Sequence, residues 1–216
     1  MLECFIVRHG VTEENLNYTL IGRTDTPLHS IGRIQAQCLA EKLNSINFDA
    51  IYTSPLTRAV ETADIILSSQ KNGTTRRISA LREIDLGIVD GVSSFTAYEQ
   101  YKDLIDIALD PHVDDYKFPF GESRNHALRR FRRFLKALSS VHQNGKVCII
   151  THGGIIGLWL AHLKGFPLGH FRNYQPQHAS ISHIALSPTE VHIINWNNTS
   201  HLSIDLKSAI QQAQSG

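Results

Sequence analysis

The sequence predicts an α/β fold, a three-layer sandwich whose mostly parallel central sheet carries helices on both faces. Two observations predict it. Short apolar runs alternate with segments of helical period along most of the chain. Ionisable residues also stand directly at the ends of the two clearest runs: Arg8-His9-Gly10 follows Cys4-Phe5-Ile6-Val7, and His152-Gly153-Gly154 follows Val147-Cys148-Ile149-Ile150-Thr151. Sheets of this kind gather ligands at the carboxyl ends of their strands.

The first strand is Cys4 to Val7, broken by Gly10. Ser30 is placed to cap a helix with an apolar stripe of Ile31, Ile34, Cys38, Leu39 and Leu43. Ala50 to Thr53 is a second strand, and Leu56, Ala59, Val60, Ala63 and Leu67 then recur at helical spacing. Arg77 to Ala80 reads as a third strand. A long helix follows from about 124 to 142, with Leu128, Phe131, Leu135 and Leu138 on one side. After the strand at 147–151 comes a helix over Gly153 to Leu163, then an edge hairpin at about 180–186 and 190–196. The tail after Ala209 is polar.

Residues 92–123 interrupt the alternation. They carry Glu99, Asp103, Asp106, Asp110, Asp114, Asp115 and Glu122 against Lys102 and Lys117. This stretch reads as an insertion over the strand ends within a single domain spanning residues 1–216. A formal charge of +1 gives no reason to expect a nucleic-acid or membrane partner. Arg129, Arg130, Arg132 and Arg133 lie opposite the apolar stripe of their helix and read as a solvated face that pairs with the acidic insertion. No run reaches the roughly 20 apolar residues of a membrane span, and Arg8-His9 interrupts the first apolar stretch too early for a signal peptide. The expectation is a cytoplasmic protein. Cys4, Cys38 and Cys148 show no CxxC spacing and read as free thiols. The twelve histidines include no HExxH, and His162, His170, His178, His183, His192 and His201 read as surface or packing residues, so no metal is expected.

Four strand ends or turns deliver polar groups: Arg8-His9-Gly10 with Thr12 and Asn15, Ser54-Pro55-Leu56-Thr57-Arg58, Leu81-Arg82-Glu83 with Gly87, and Thr151-His152-Gly153-Gly154. Taken with Gly22-Arg23-Thr24-Asp25-Thr26-Pro27-Leu28 and Gly121-Glu122-Ser123, these motifs resemble, in order, those of the histidine phosphatase superfamily, the phosphoglycerate mutase-like proteins. The resemblance runs from Phe5 to about Trp196. It implies phosphoryl transfer, and the residue types agree. A neutral imidazole serves as nucleophile near pH 7, and arginine's planar fork matches phosphate oxygens.

The resemblance implies His9 as the nucleophile that becomes phosphohistidine. Arg8, Arg58 and His152 would clamp the transferring group, with Asn15 as a further donor and Gly153 opening a helix whose N–H groups face an anion. Glu83 would be the general acid and then the general base, with Asp85 two residues away as the rival carboxylate. Thr12 and Arg23 would either contact substrate or only shape their turns. No cofactor is implied. Two departures bear on substrate: Gly87-Ile88-Val89-Asp90-Gly91 lacks the tryptophan that many relatives carry there, and Ile155-Ile156-Gly157 stands where relatives often have a polar residue.

The expected activity is cofactor-independent hydrolysis of a small phosphorylated metabolite, in the branch resembling α-ribazole phosphatase and broad-specificity phosphatases. The alternative is a phosphoglycerate mutase. The intact set Arg8, His9, Arg58, Glu83 and His152 argues against a non-catalytic binding protein. Phosphatase is favoured because residues 92–123 contain no arginine and their acidic side chains would repel an anionic substrate unless they point outward.

Overall fold

A computed structural model describes residues 1–70 and 74–207; the polar tail after Ala209 lies outside the described residues. Six strands, β1 (Leu2–Arg8), β2 (Ala50–Thr53), β3 (Thr75–Arg77), β4 (Lys146–Thr151), β5 (Ile181–Leu186) and β6 (Val191–Asn198), form one mixed sheet in the order β3-β2-β4-β1-β5-β6. The first four in that order are parallel, and β5 and β6 add the antiparallel edge hairpin.

Strand periodicity divides the core into two layers. Cys4, Ile6, Val147 and Ile149 face one side, against Phe131 and Leu135 of α5 (Arg124–Val141) and Ile155 and Trp159 of α6 (Gly153–Leu163). Phe5, Val7, Cys148 and Ile150 face the other, against Leu39 and Leu43 of α2 (Ser30–Leu43) and Ala59, Ala63 and Ile66 of α3 (Thr57–Ser68). Buried on both faces, β1 and β4 need continuous apolar runs, which is why they read so clearly. The insertion folds into α4 (Ser94–Leu109) and a loop, around a small cluster of Val89, Ala97, Ala108 and Phe118. Among the described residues no helix is long and apolar enough to cross a membrane. A short α1 (Glu13–Leu16) follows the first strand.

Three local expectations change. The cap of α2 is His29, whose Nδ1 accepts from the Ile31 N–H, and Ser30 is the first helical residue. The buried face of that helix is Gly32, Gln35, Ala36, Leu39, Ala40 and Leu43, leaving Ile34 at 47% exposure. Burying the exposed half of Ile34 would gain about 1 kcal/mol. It would also turn Gly32 and Gln35 away from the Gly10-Val11 turn, where the Gln35 Oε1 accepts from the Val11 N–H at 3.0 Å. The third strand ends at Arg77, and Ser79–Leu81 is a 3₁₀ turn that buries Leu81 completely.

Candidate active site

Register brings the polar strand ends to one level. Arg8 pairs with Thr151 and Thr53 with Ile150, so β1, β4 and β2 terminate side by side. The next residues, His9, His152 and Ser54, therefore meet. His9 and His152 rings stand 5.0 Å apart, and His152 Nε2 lies 2.7 Å from Ser54 Oγ. His9 Nδ1 is 2.7 Å from the Gly10 carbonyl oxygen, which only accepts, so Nδ1 carries the proton and Nε2 keeps its lone pair. Burial, then the charges of Arg58 and Arg8, push the His9 imidazole well below its ordinary pKa. It is therefore neutral at neutral pH.

Both arginines are anchored and still have a nitrogen to offer. Arg58, fully buried, donates from Nη1 to Thr24 O at 2.9 Å and from Nη2 to Gly22 O at 2.7 Å. Arg8 donates from Nη1 to Pro176 O at 2.7 Å and from Nη2 to His178 Nε2 at 2.7 Å. Burial, moderated by Glu83 and reinforced by Arg58, lowers Arg8 to about 10, so it stays charged near pH 7. Arg8 Nε, Arg58 Nε and His152 Nδ1 are buried without a hydrogen-bond partner. The two Nε groups donate, as does His152 Nδ1 when Ser54 Oγ donates to Nε2. On three residues that act on or touch the His9 ring, such groups suit an oxyanion, because unpaired buried polar groups are otherwise costly.

Glu83 lies at the start of α6. Its Oε2 accepts from the Gly154 N–H at 2.8 Å, and its Oε1 accepts from Ile155 and Ile84 N–H at 3.0 and 2.8 Å. The N–H groups of Gly154 and Ile155 at this helix end thus hold the protein's own carboxylate. The two glycines make room for it. A Cβ on Gly154 would sit 2.6 Å from Glu83 Oε1, and one on Gly153 would sit 2.9 Å from Arg8 Nε. Asp85 accepts from the Gly87 N–H and pairs with Arg23 at 3.2 Å. Of the two carboxylates, Glu83 is the one whose charge acts on both Arg8 and Arg58.

The loop at 22–28 is a support. Asp90 accepts from the N–H groups of Gly22, Arg23 and Thr24, holding the carbonyls that receive Arg58, and Asp25 accepts from Thr57 N–H and Oγ1 at the start of α3. Arg23 is engaged by Asp85 and, at 3.3 Å, by Glu122. Arg130 departs from the solvated face expected for its helix. It reaches sideways to the carbonyls of Ala80, Arg82 and Glu83 and grips both oxygens of the buried Glu122. Arg129, Arg132 and Arg133 are exposed.

Burial pushes the Glu122 carboxyl up, but the hydrogen bonds and charge of Arg130, with Arg23 and His126, outweigh it and hold the group below its ordinary 4.5. A depressed carboxyl contributes stability above its unfolded pKa and loses it as pH falls through the folded value. Glu122→Gln is therefore expected to cost on the order of 3 kcal/mol at pH 7 by breaking a buried ion pair. The wild-type advantage, followed by thermal melting, should shrink as pH drops below 4.5.

Thr12 and Asn15 close a capping box on α1: Asn15 N–H donates to Thr12 Oγ1, and Asn15 Oδ1 accepts from Thr12 N–H. Thr12 is fully buried and shapes the turn, while Asn15 lines a cavity of about 620 Å³. Arg8, His178, Arg172, Gln175, Gln177 and Lys207 also line it, with Ser94 from the insertion and no carboxylate among the described lining residues. Glu99, Asp103, Asp106, Asp110, Asp114 and Asp115 are all exposed, so their charge points outward, while the seventh, Glu122, is buried against Arg130.

Sequence reasoning missed His178, Asp90, Glu122 and Arg130 as site-building residues. His178 sits 170 residues from Arg8 with no local pattern to mark it. Glu122 was visible only as part of a motif.

The sequence profile of the histidine phosphatase superfamily (branch 1) matches residues 4–199. A relative from Proteus mirabilis, called probable phosphoglycerate mutase GpmB, is 29% identical over 188 residues, 85% of each chain. The solved structure of Bacillus stearothermophilus YhfR superposes with a TM-score of 0.87 at 27% identity, covering 94% of this chain and 100% of that one. The α-ribazole phosphatase from Shigella flexneri superposes at 0.80 with 25% identity, covering 91% and 96%.

Proposed function

The chain belongs to the histidine phosphatase superfamily, and from that premise we propose that it hydrolyses small phosphomonoesters through a phosphohistidine on His9. The observation that carries the proposal is the set of three unpartnered buried donors, Arg8 Nε, Arg58 Nε and His152 Nδ1, around a neutral imidazole.

His9 Nε2 attacks phosphorus as the ester P–O bond breaks, and the three donors take the growing charge on the phosphoryl oxygens. The Glu83 carboxyl gives a proton to the leaving oxygen. It then takes one from water, whose oxygen displaces Nε2 and releases inorganic phosphate. Arg8 and Arg58 supply the positive charge, so the proposal assigns no metal or cofactor. Free Cys4, Cys38 and Cys148 support a cytoplasmic setting.

Phosphoglycerate mutase is the second reading, supported by the name of the Proteus relative. It is also supported by Arg172 and Lys207 in a cavity whose described lining holds no carboxylate, which removes the expected repulsion of an acidic leaving group. Against it, the insertion brings only Ser94 to the cavity wall and no cation to hold a phosphorylated product beside the phosphoenzyme. With 3-phosphoglycerate and a trace of 2,3-bisphosphoglycerate, phosphate release should exceed formation of 2-phosphoglycerate. Isomerisation outpacing phosphate release by about tenfold overturns the phosphatase in favour of the mutase.

A further inference from the structure

We infer that His178 is a positioning residue that fixes the Arg8 guanidinium and the backbone of His9 in the geometry that receives a phosphoryl group. The inference rests on the reading of Arg8 and His9 as the phosphoryl site.

His178 is buried at 7% exposure on the segment between the 3₁₀ helix Leu168–Tyr174 and β5. Its partners leave one possible protonation. Arginine nitrogens only donate, so His178 Nε2, 2.7 Å from Arg8 Nη2, must be the acceptor. The proton therefore sits on Nδ1 and points at the His9 carbonyl oxygen, 3.3 Å away. One neutral imidazole thus spans the arginine side chain and the backbone of the nucleophile. Its ring meets that of His9 at 5.3 Å between centroids.

The surrounding segment reinforces this bridge. Pro176 O takes the other terminal nitrogen of Arg8, and Ala179 N–H donates to the same His9 carbonyl. Ala179 holds φ +53°, a left-handed conformation unusual for alanine, between the residue that grips Arg8 and the strand that follows. With both terminal nitrogens held, Arg8 presents Nε as its unpartnered donor. The charged groups facing His178 are Arg8, Arg58 and the titratable His9, and after burial each disfavours a second positive charge on it. A neutral, acceptor-bearing side chain is what this position requires.

The test is the affinity of the whole protein for orthovanadate, a phosphoryl mimic, alongside kcat and KM for p-nitrophenyl phosphate. His178→Leu keeps an apolar volume but removes the acceptor, and should weaken vanadate about 10- to 100-fold, the scale for losing a hydrogen bond to a charged group. His178→Gln returns a non-titrating amide oxygen near the Nε2 position, and should restore affinity to within a few-fold of wild type. In the Arg8→Ala background, His178→Leu should cost no more than a few-fold further, the part that runs through the His9 carbonyl, because its main effect runs through Arg8.

A folded His178→Leu protein with wild-type vanadate affinity overturns the inference. So does a folded His178→Gln protein no better than the leucine variant, or a leucine loss that persists undiminished without Arg8. If wild type binds vanadate with this variant pattern yet hydrolyses no ester, the positioning role stands and the phosphatase reading fails.

Discussion

His9→Ala is expected to lower turnover by on the order of 10⁵–10⁶-fold, the scale seen when a nucleophile that works as part of a unit is removed. No other group stands where it does. His152 is equally buried, but its Nε2 is engaged by Ser54, and its unpartnered nitrogen is a donor whenever the Ser54 hydroxyl donates to Nε2. The imidazole lost from position 9 makes one side-chain hydrogen bond, to Gly10 O, so far-UV circular dichroism should remain that of a folded protein. A folded variant retaining more than a few per cent of wild-type kcat would assign the nucleophile elsewhere.

The second large effect belongs to Glu83→Gln, expected to reduce kcat by about 10²–10⁴-fold on alkyl phosphates, the range for losing general acid catalysis. The structural cost should be small by comparison. The amide oxygen in the place of Oε1 still accepts from Ile84 and Ile155, while the amide NH2 in the place of Oε2 faces the Gly154 N–H donor to donor, a cost of about 1–3 kcal/mol. Aryl phosphates leave as stabilised phenolates and need little protonation, so the loss should shrink for them. An equal loss on both ester types contradicts the acid role, and a matching defect in Asp85→Asn would move that role to Asp85.

What the sequence made legible follows physical rules. Strands β1 and β4 are buried on both faces, so their apolar runs and the charged residues that end them stood out without any contact map. The same holds for the apolar stripe of α5, where Leu128, Phe131, Leu135 and Leu138 are all buried. Residues whose role comes from distant partners were not legible. Arg130 lies off the apolar stripe, as a solvated residue would, but its long stem carries the guanidinium across to carbonyls left free by the 3₁₀ turn at Ser79–Leu81. His178 joins the site just before β5, which pairs antiparallel with β1, and not through any helix or motif, so spacing said nothing about it. The occupant of the α6 N-terminus was not legible for a related reason: a helix end attracts an anion, and the N–H groups of Gly154 and Ile155 take the protein's own Glu83.

The central claim, covalent transfer through His9, is tested most directly by stopping the first turnover. Enzyme mixed with a ³²P-labelled phosphomonoester is quenched in alkali on the millisecond scale and digested, and the label is located by peptide. The account predicts an acid-labile, alkali-stable label on the peptide containing His9, rising before steady-state phosphate release and absent from His9→Ala. Steady turnover with no label on that peptide at any time, or with the label on another residue, contradicts it.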